Sequence, residues 1–134
     1  MEALVQQIDL ISLGAIKPNP RNARTHSRKQ IGQIADSIKA FGFLVPVLLD
    51  ENSTILGGHG RIEAAKLLGL EEVPVIRVDG LSEPQKRALM LADNKIAANA
   101  GWDRNRLAIE LPELTELLVE DNLDISVTGF ETPE

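Results

Sequence analysis

A glycine-rich turn between a short apolar run and a helical pattern constrains this sequence more than any other feature. Ile55 and Leu56 lead into the turn, and an amphipathic pattern follows it. The turn has three glycines among four residues, Gly57, Gly58 and Gly60. This order predicts a strand, a tight turn and a helix N-terminus. Glycine lets a ligand approach the backbone, and the first helical N–H groups lack intrahelical acceptors, so the turn is suited to bind phosphate.

Two side chains add chemistry to the turn. Arg61 falls in the first helical turn and can make bidentate hydrogen bonds to phosphate. His59 is a candidate phosphate donor or general acid/base, because imidazole titrates at about pH 6.5. The alternatives are glycines that serve turn geometry alone and a histidine that faces solvent. The pattern is neither a P-loop nor a dinucleotide fingerprint.

Length and composition indicate one globular domain. The chain has 134 residues, of which 43% are hydrophobic and 25% charged. Cysteine is absent, which excludes disulfides and thiol catalysis, and two histidines make a zinc site unexpected. No apolar run has the length of a membrane span and the start lacks a basic signal region. We therefore expect a cytoplasmic protein with no membrane partner.

The net charge of −6 is unevenly distributed. Residues 107–134 hold eight acids and no Lys or Arg, whereas the rest of the chain has fourteen basic and twelve acidic groups. Residues 17–39 carry six cations and one acid. Arg21, Arg28 and Lys29 in this segment are therefore candidates for contact with the DNA backbone, with a solvated surface as the alternative.

Hydrophobic spacing and turn residues predict alternating elements. The pairs Ser27 with Gln30 and Ser82 with Gln85 have the spacing of capping boxes. We expect Trp102 to seal the core. Strands are predicted at 6–12, 45–50, 55–56 and 73–78, helices at 28–41, 60–68, 83–99, 104–110 and 112–120, and an extended piece at 124–128. The expected buried faces are Ile31, Ile34, Ala35, Ile38 and Phe41 in the first helix, and Ala88, Leu89, Leu91, Ala92 and Ile96 in the third. The predicted fold is α/β or α+β, a small mixed sheet flanked by helices with a helical C-terminal part.

Several motifs, in this order, resemble the ParB N-terminal domain of the ParB/sulfiredoxin superfamily. They are Asn-Pro-Arg-Asn-Ala-Arg at 19–24, Ile-Ala-Asp-Ser-Ile-Lys at 34–39, Phe-Gly-Phe-Leu-Val-Pro-Val at 41–47 and Gly-His-Gly-Arg-Ile-Glu-Ala-Ala-Lys-Leu-Leu-Gly at 58–69, followed by Val-Pro-Val. The resemblance covers roughly residues 8–100. The runs 20–27, 91–97, 101–103 and 128–131 are most similar to the nuclease-type ParB-like domain at the front of bacterial and phage DNA modification methylases.

The resemblance implies a nucleotide site. In ParB proteins the glycine turn binds a nucleotide triphosphate, CTP in the best understood members. The family's magnesium-holding Glu-Asn pair is similar to Asp93 and Asn94, so Asp93 is the expected ligand of Mg²⁺ and, with His59, a candidate catalytic residue. The expected binding set for CTP or ATP is Arg24, Gly57, Gly58, His59, Gly60, Arg61 and Asn94.

The chain also departs from the family pattern. Gly60 stands where ParB proteins carry an arginine, which implies weaker or altered nucleotide preference. Sulfiredoxin chemistry is excluded because the turn has no cysteine. No helix-turn-helix follows, so partitioning by this polypeptide alone is not expected.

The leading hypothesis is a DNA-associated, nucleotide-binding domain that targets or regulates a DNA methyltransferase. Residues 1–100 would form the ParB-like domain, and residues 101–134 an acidic helical extension leading to a downstream methyltransferase domain. DNA, nucleotide and a second copy of the chain are the expected partners. One alternative is a metal-dependent DNA nuclease, and another is a non-catalytic module that docks a protein through residues 107–134. The chain has no methyltransferase motif, and NTPase activity stays open.

Overall fold

A computed structural model describes residues 7–131 as a four-stranded mixed sheet flanked by helices, which confirms the predicted fold class. Short 3-10 turns lie at Leu13–Ala15, Leu118–Asp121 and Ile125–Thr128. Within the described residues, no helix combines the length and the apolar character needed to cross a membrane. The strands are β1 (Ile8–Ser12), β2 (Val47–Asp50), β3 (Ile55–Gly57) and β4 (Glu72–Val78); the helices are α1 (Arg28–Phe41), α2 (His59–Leu68), α3 (Glu83–Asn99) and α4 (Arg104–Leu117).

The strand order is β1-β4-β2-β3, with β4 antiparallel to β1 and parallel to β2, and β3 antiparallel to β2. Edge strand β1 begins at Ile8, while Gln6, where we predicted its start, lies outside the described residues. Central strand β2 begins after Pro46, which lacks an N–H to donate to the sheet. The core joins the central strands β2 and β4 and the edge strand β3 to α2 through Val47, Leu49, Ile55, Ile62, Ala65, Val73 and Val75.

Helix α1 lies against α2 rather than on the sheet. The capping box of Ser27 and Gln30 is present, and Gly42 ends the helix with φ of 92°. Ala35 is buried, but Phe41, which we expected to be buried, is 49% exposed. Phe41 is the last residue of α1, so its side chain lies at the end of the helix and remains partly in water.

The predicted buried face of α3 is wrong. Leu91 is 59% exposed and Ile96 is 70% exposed, whereas Lys86 and Met90 are buried. The helix packs on β3, and the buried residues lie in its N-terminal half. Lys86 was missed because a lysine in an apolar pattern is normally assigned to the surface.

The C-terminal part differs from the prediction in three places. One helix, α4, continues through Pro112 where two helices were predicted. The predicted extended piece at 124–128 is a 3-10 turn that packs against α1 and buries Ile125. Trp102 does not seal the core, because its side chain lies 70% exposed in the α3–α4 connection and contacts the ring of Phe130 edge to face, with centroids 5.0 Å apart.

Candidate functional site

The N-terminus of α2 is open toward solvent and lacks a capping side chain. Its N-cap, Gly58, has φ of 102° and ψ of 23°, whereas Ser27, Ser82 and Asp103 cap the other three α-helices of residues 7–131 with side-chain hydrogen bonds. The bond from the N–H of Ile62 to the carbonyl of Gly58 opens the helical series. The preceding N–H groups therefore remain available to a ligand.

A cavity of about 510 Å³ lies at this helix end. It is bounded by α2, the ends of β2 and β3, α3 and the loop before α1. The cavity brings together every residue of the expected nucleotide and magnesium site. These residues are Arg24, Gly57, Gly58, His59, Gly60, Arg61, Asp93 and Asn94.

Close packing explains the three glycines of the turn. A Cβ atom on Gly57 would lie 3.2 Å from Oδ2 of Asp93, and one on Gly58 would lie 3.1 Å from Cγ2 of Val47. A Cβ on Gly60 would lie 2.9 Å from Cε1 of His26. The glycines therefore allow α3, β2 and the loop before α1 to close around the turn.

Asn19 holds the loop before α1 against the turn, and Asn22 forms hydrogen bonds within the loop. The side-chain amide of Asn19 donates to the carbonyl of Ile55 at 3.0 Å, and its backbone N–H donates to Nε2 of His59 at 3.3 Å. Asn22 donates to the carbonyl of Arg24 and accepts from its N–H, both at 3.1 Å. These bonds fix the backbone that presents Arg24 to the cavity.

His59 has a structural contact in addition to its place in the cavity wall. Its Nε2 accepts the Asn19 N–H, which requires an unprotonated nitrogen. Burial, and after it the nearby His26, lower the pKa of His59. His59 is therefore neutral near pH 7, and its proposed role as an acid or base stays a prediction.

Asp93 and Asn94 of α3 bring side-chain oxygens to the wall of the cavity that faces α2. Asn94 donates its side-chain N–H to the carbonyl of Met90 at 3.0 Å, which leaves its Oδ1 open. Within residues 7–131, Asp93, Arg24 and Arg61 form no salt bridge. Mg²⁺ is commonly bound by one or two carboxylates together with phosphate oxygens and water, and Asp93 beside Asn94 fits that donor set.

Some candidate residues lie outside the cavity, and two residues that line it were not predicted. His26 and Asn22 line the cavity but have no distinguishing sequence signal beyond their place in the run 20–27. The candidate DNA contacts Arg21, Arg28 and Lys29 are exposed and outside the cavity, and Lys29 pairs with Glu131.

Lys86 holds α3, and with it Asp93, against the end of β2. Its Nζ lies 3.3 Å from Oδ2 of Asp50 and 2.6 Å from Oε1 of Glu51. The hydrogen bonds that Lys86 donates to the carboxylates of Glu51 and Asp50 raise the pKa of Lys86, so the lysine stays charged.

We expect Lys86→Met to lower the thermal unfolding midpoint and weaken ligand binding, because it leaves the Asp50 carboxylate without its buried cation. Arg87→Met is the matched control, since Arg87 is exposed on the same helix and should change stability by no more than about 0.5 kcal/mol. Circular dichroism melts give the unfolding midpoints of both variants, and the rise in midpoint on adding ligand reports binding. Equal midpoints for the two variants would contradict this role.

Comparison with known proteins identifies a matching family model and similar proteins. The family model described as the ParB N-terminal domain matches residues 2–95. The ParB-like nuclease domain-containing protein YnaK of Escherichia coli K12 is 48% identical over 75 residues, which is 56% of this chain and 86% of YnaK. A probable chromosome-partitioning protein ParB of Rickettsia typhi is 39% identical over 70 residues, 52% of this chain but only 24% of that protein.

Solved structures show the same fold. The C-terminally truncated chromosome-partitioning protein ParB from Caulobacter crescentus, complexed with CTP-gamma-S, has a TM-score of 0.74 at 20% identity, covering 90% of this chain and 71% of that one. Sulfiredoxin from Arabidopsis thaliana has a TM-score of 0.50 at 25% identity, covering 55% of this chain and 86% of that one.

Proposed function

The chain belongs to the ParB N-terminal domain family, and we propose that it binds the triphosphate of a nucleotide in the cavity at the N-terminus of α2. The convergence of an uncapped helix N-terminus with two arginines that form no salt bridge within residues 7–131 carries this proposal. The free N–H groups and the helix dipole attract phosphate oxygens, and Arg24 and Arg61 add charge-assisted hydrogen bonds.

Asp93 and Asn94 would hold Mg²⁺ against the phosphates. The ion would offset phosphate charge, while Asp93 balances part of the positive charge from the two arginines. The similar Caulobacter structure contains CTP-gamma-S, which supports CTP as the first nucleotide to test and ATP as the second.

The wider role that we propose is a DNA-associated domain that targets or regulates a methyltransferase in the full-length protein. Arg21 and Arg28 lie on the exposed loop and helix start, where they are free to meet a DNA backbone. A Caulobacter ParB structure complexed to the centromeric parS site, with a TM-score of 0.55, supports testing DNA together with nucleotide. A homodimer is part of the same proposal.

The geometry gives the nuclease alternative less support. Metal-dependent phosphodiester cleavage usually needs several carboxylates around its metals. Among the described residues, the cavity lining has one carboxylate, Asp93, while Glu63 is exposed and pairs with Lys66 at 3.3 Å.

A thermal-shift screen of the four ribonucleoside triphosphates with Mg²⁺, with and without DNA, tests the proposal. A ligand at roughly 100 times its Kd should add about 2.7 kcal/mol of stability. We expect a selective shift with one nucleotide and none with its nucleoside, because the phosphates provide the contacts.

Two outcomes would contradict nucleotide binding. Absence of a shift with every triphosphate would favour the protein-docking alternative. Mg²⁺-dependent nicking of plasmid that Asp93→Ala abolishes, without a nucleotide shift, would favour the nuclease.

A further inference from the structure

His26 occupies a position that the proposed function does not use. Its ring lines both the phosphate cavity and a second cavity of about 520 Å³, which extends along α1 toward residues 127–129. Arg24 and Arg61 line both cavities as well. The half-buried imidazole therefore lies between the two cavities and lines both of them.

The His26 ring also lies directly against the open helix end. A Cβ on Gly60 would meet Cε1 of His26 at 2.9 Å and Nε2 at 3.0 Å, so the ring packs beside Gly60 in the first turn of α2. Within residues 7–131, His26 makes no side-chain hydrogen bond, in contrast to His59, whose Nε2 accepts from Asn19. His26 is thus the histidine of the site that is free to bind a ligand.

The surroundings of His26 keep it neutral in the free protein. Burial lowers its pKa from 6.5, and the charge of Arg24 lowers it further. The positive end of the α2 dipole acts in the same direction. The charged and titratable groups on the elements around the ring are Arg24, His59, Arg61, Glu63 and, across the cavity, Asp93.

We propose that His26 is a further phosphate-binding residue of this cavity, which takes up a proton when a polyphosphate binds. The inference rests on the proposed nucleotide function and adds a pH-dependent ligand contact to it. Phosphate oxygens placed at the helix end would bring several negative charges beside the ring. They would reverse the potential that keeps His26 neutral and would accept a hydrogen bond from its N–H⁺.

The direction of the pH dependence follows from linkage. A group that binds a proton more tightly in the complex than in the free protein makes ligand affinity rise as the pH falls. The gain begins as the pH falls through the pKa of His26 in the complex and ends below its lowered pKa in the free protein. Each unit of difference between these two values changes affinity by about tenfold.

The test uses inorganic triphosphate with Mg²⁺ as the probe and calorimetry of the full chain at about pH 6 and about pH 8, two values that bracket the ordinary histidine range. His26→Gln keeps a polar side chain of similar reach but cannot take up a proton. The triphosphate itself changes protonation with pH in the experiments on both proteins. Subtracting the pH dependence of the variant's affinity from that of wild type therefore leaves the contribution of His26. We expect wild-type binding to strengthen by at least about fivefold more than the variant's over this range.

The outcomes separate this inference from the proposed function. Binding with the same pH dependence in both proteins would overturn the role of His26 and leave the nucleotide site intact. No binding of triphosphate or any nucleotide at either pH would overturn both. If the variant fails to fold, NMR titration of the wild-type ring decides: a pKa of His26 that rises on saturation with triphosphate supports the inference, and an unchanged pKa overturns it.

Discussion

Replacing Arg61 by alanine is expected to weaken nucleotide binding about 10- to 150-fold and to leave the fold intact. Charge-assisted hydrogen bonds contribute about 1.5–3 kcal/mol, and each 1.4 kcal/mol is about tenfold in Kd. Arg61 is half-buried in the cavity wall, and within the described residues it has no salt-bridge partner. Its removal therefore takes away ligand contacts without leaving another buried charge unpaired.

A matched variant separates this contact from the general charge of α2. Lys66→Ala removes one cation from the same helix, but Lys66 is exposed and pairs with Glu63, away from the cavity. We expect binding of Mg²⁺-nucleotide to Lys66→Ala to stay within about twofold of wild type, because exposed charges at a distance are screened by salt. Unchanged Kd values for Arg61→Ala in calorimetry, with native circular dichroism, would rule out the proposed phosphate site.

Gly58→Ala is expected to reduce both stability and binding. Its φ of 102° is unfavourable for any residue with a Cβ, and the added atom would lie 3.1 Å from Cγ2 of Val47 and 3.4 Å from its Cα. Backbone strain of this kind costs about 1–3 kcal/mol. Relief of the clash would move the N-terminus of α2 away from β2. The free N–H groups of the helix would then no longer point toward the ligand.

The same helix offers a control at its other end. Gly69 also has positive φ, 71°, but nothing lies within 4 Å of an added Cβ. Gly69→Ala should therefore cost about 1–2 kcal/mol from the left-handed conformation alone, and nucleotide binding should be kept. Chemical denaturation gives the stabilities and calorimetry the affinities. If Gly58→Ala binds as well as Gly69→Ala, the geometry of the turn is not what holds the ligand.

The sequence alone predicted the features that depend on residues adjacent to one another in the chain. The capping boxes at Ser27 and Ser82 and the glycine turn before α2 are confirmed. Each depends on hydrogen bonds or backbone angles that a few adjacent residues determine. Arg24, the turn and Asp93, which the resemblance of several motifs assigned to one site, line one cavity, and their role as a nucleotide site stays a prediction.

Only the tertiary structure decided which side chains meet across distant elements. Lys86 is buried because carboxylates at the end of β2 surround it, a contact between residues 35 and 36 positions apart. Leu91 and Ile96 are exposed because α3 faces β3 with the side that carries Met90 and Asp93, and neither residue lies on that side. His26 reaches the site because Gly60 leaves room for its ring. Helical periodicity describes one element at a time, whereas burial depends on what the rest of the fold places opposite it.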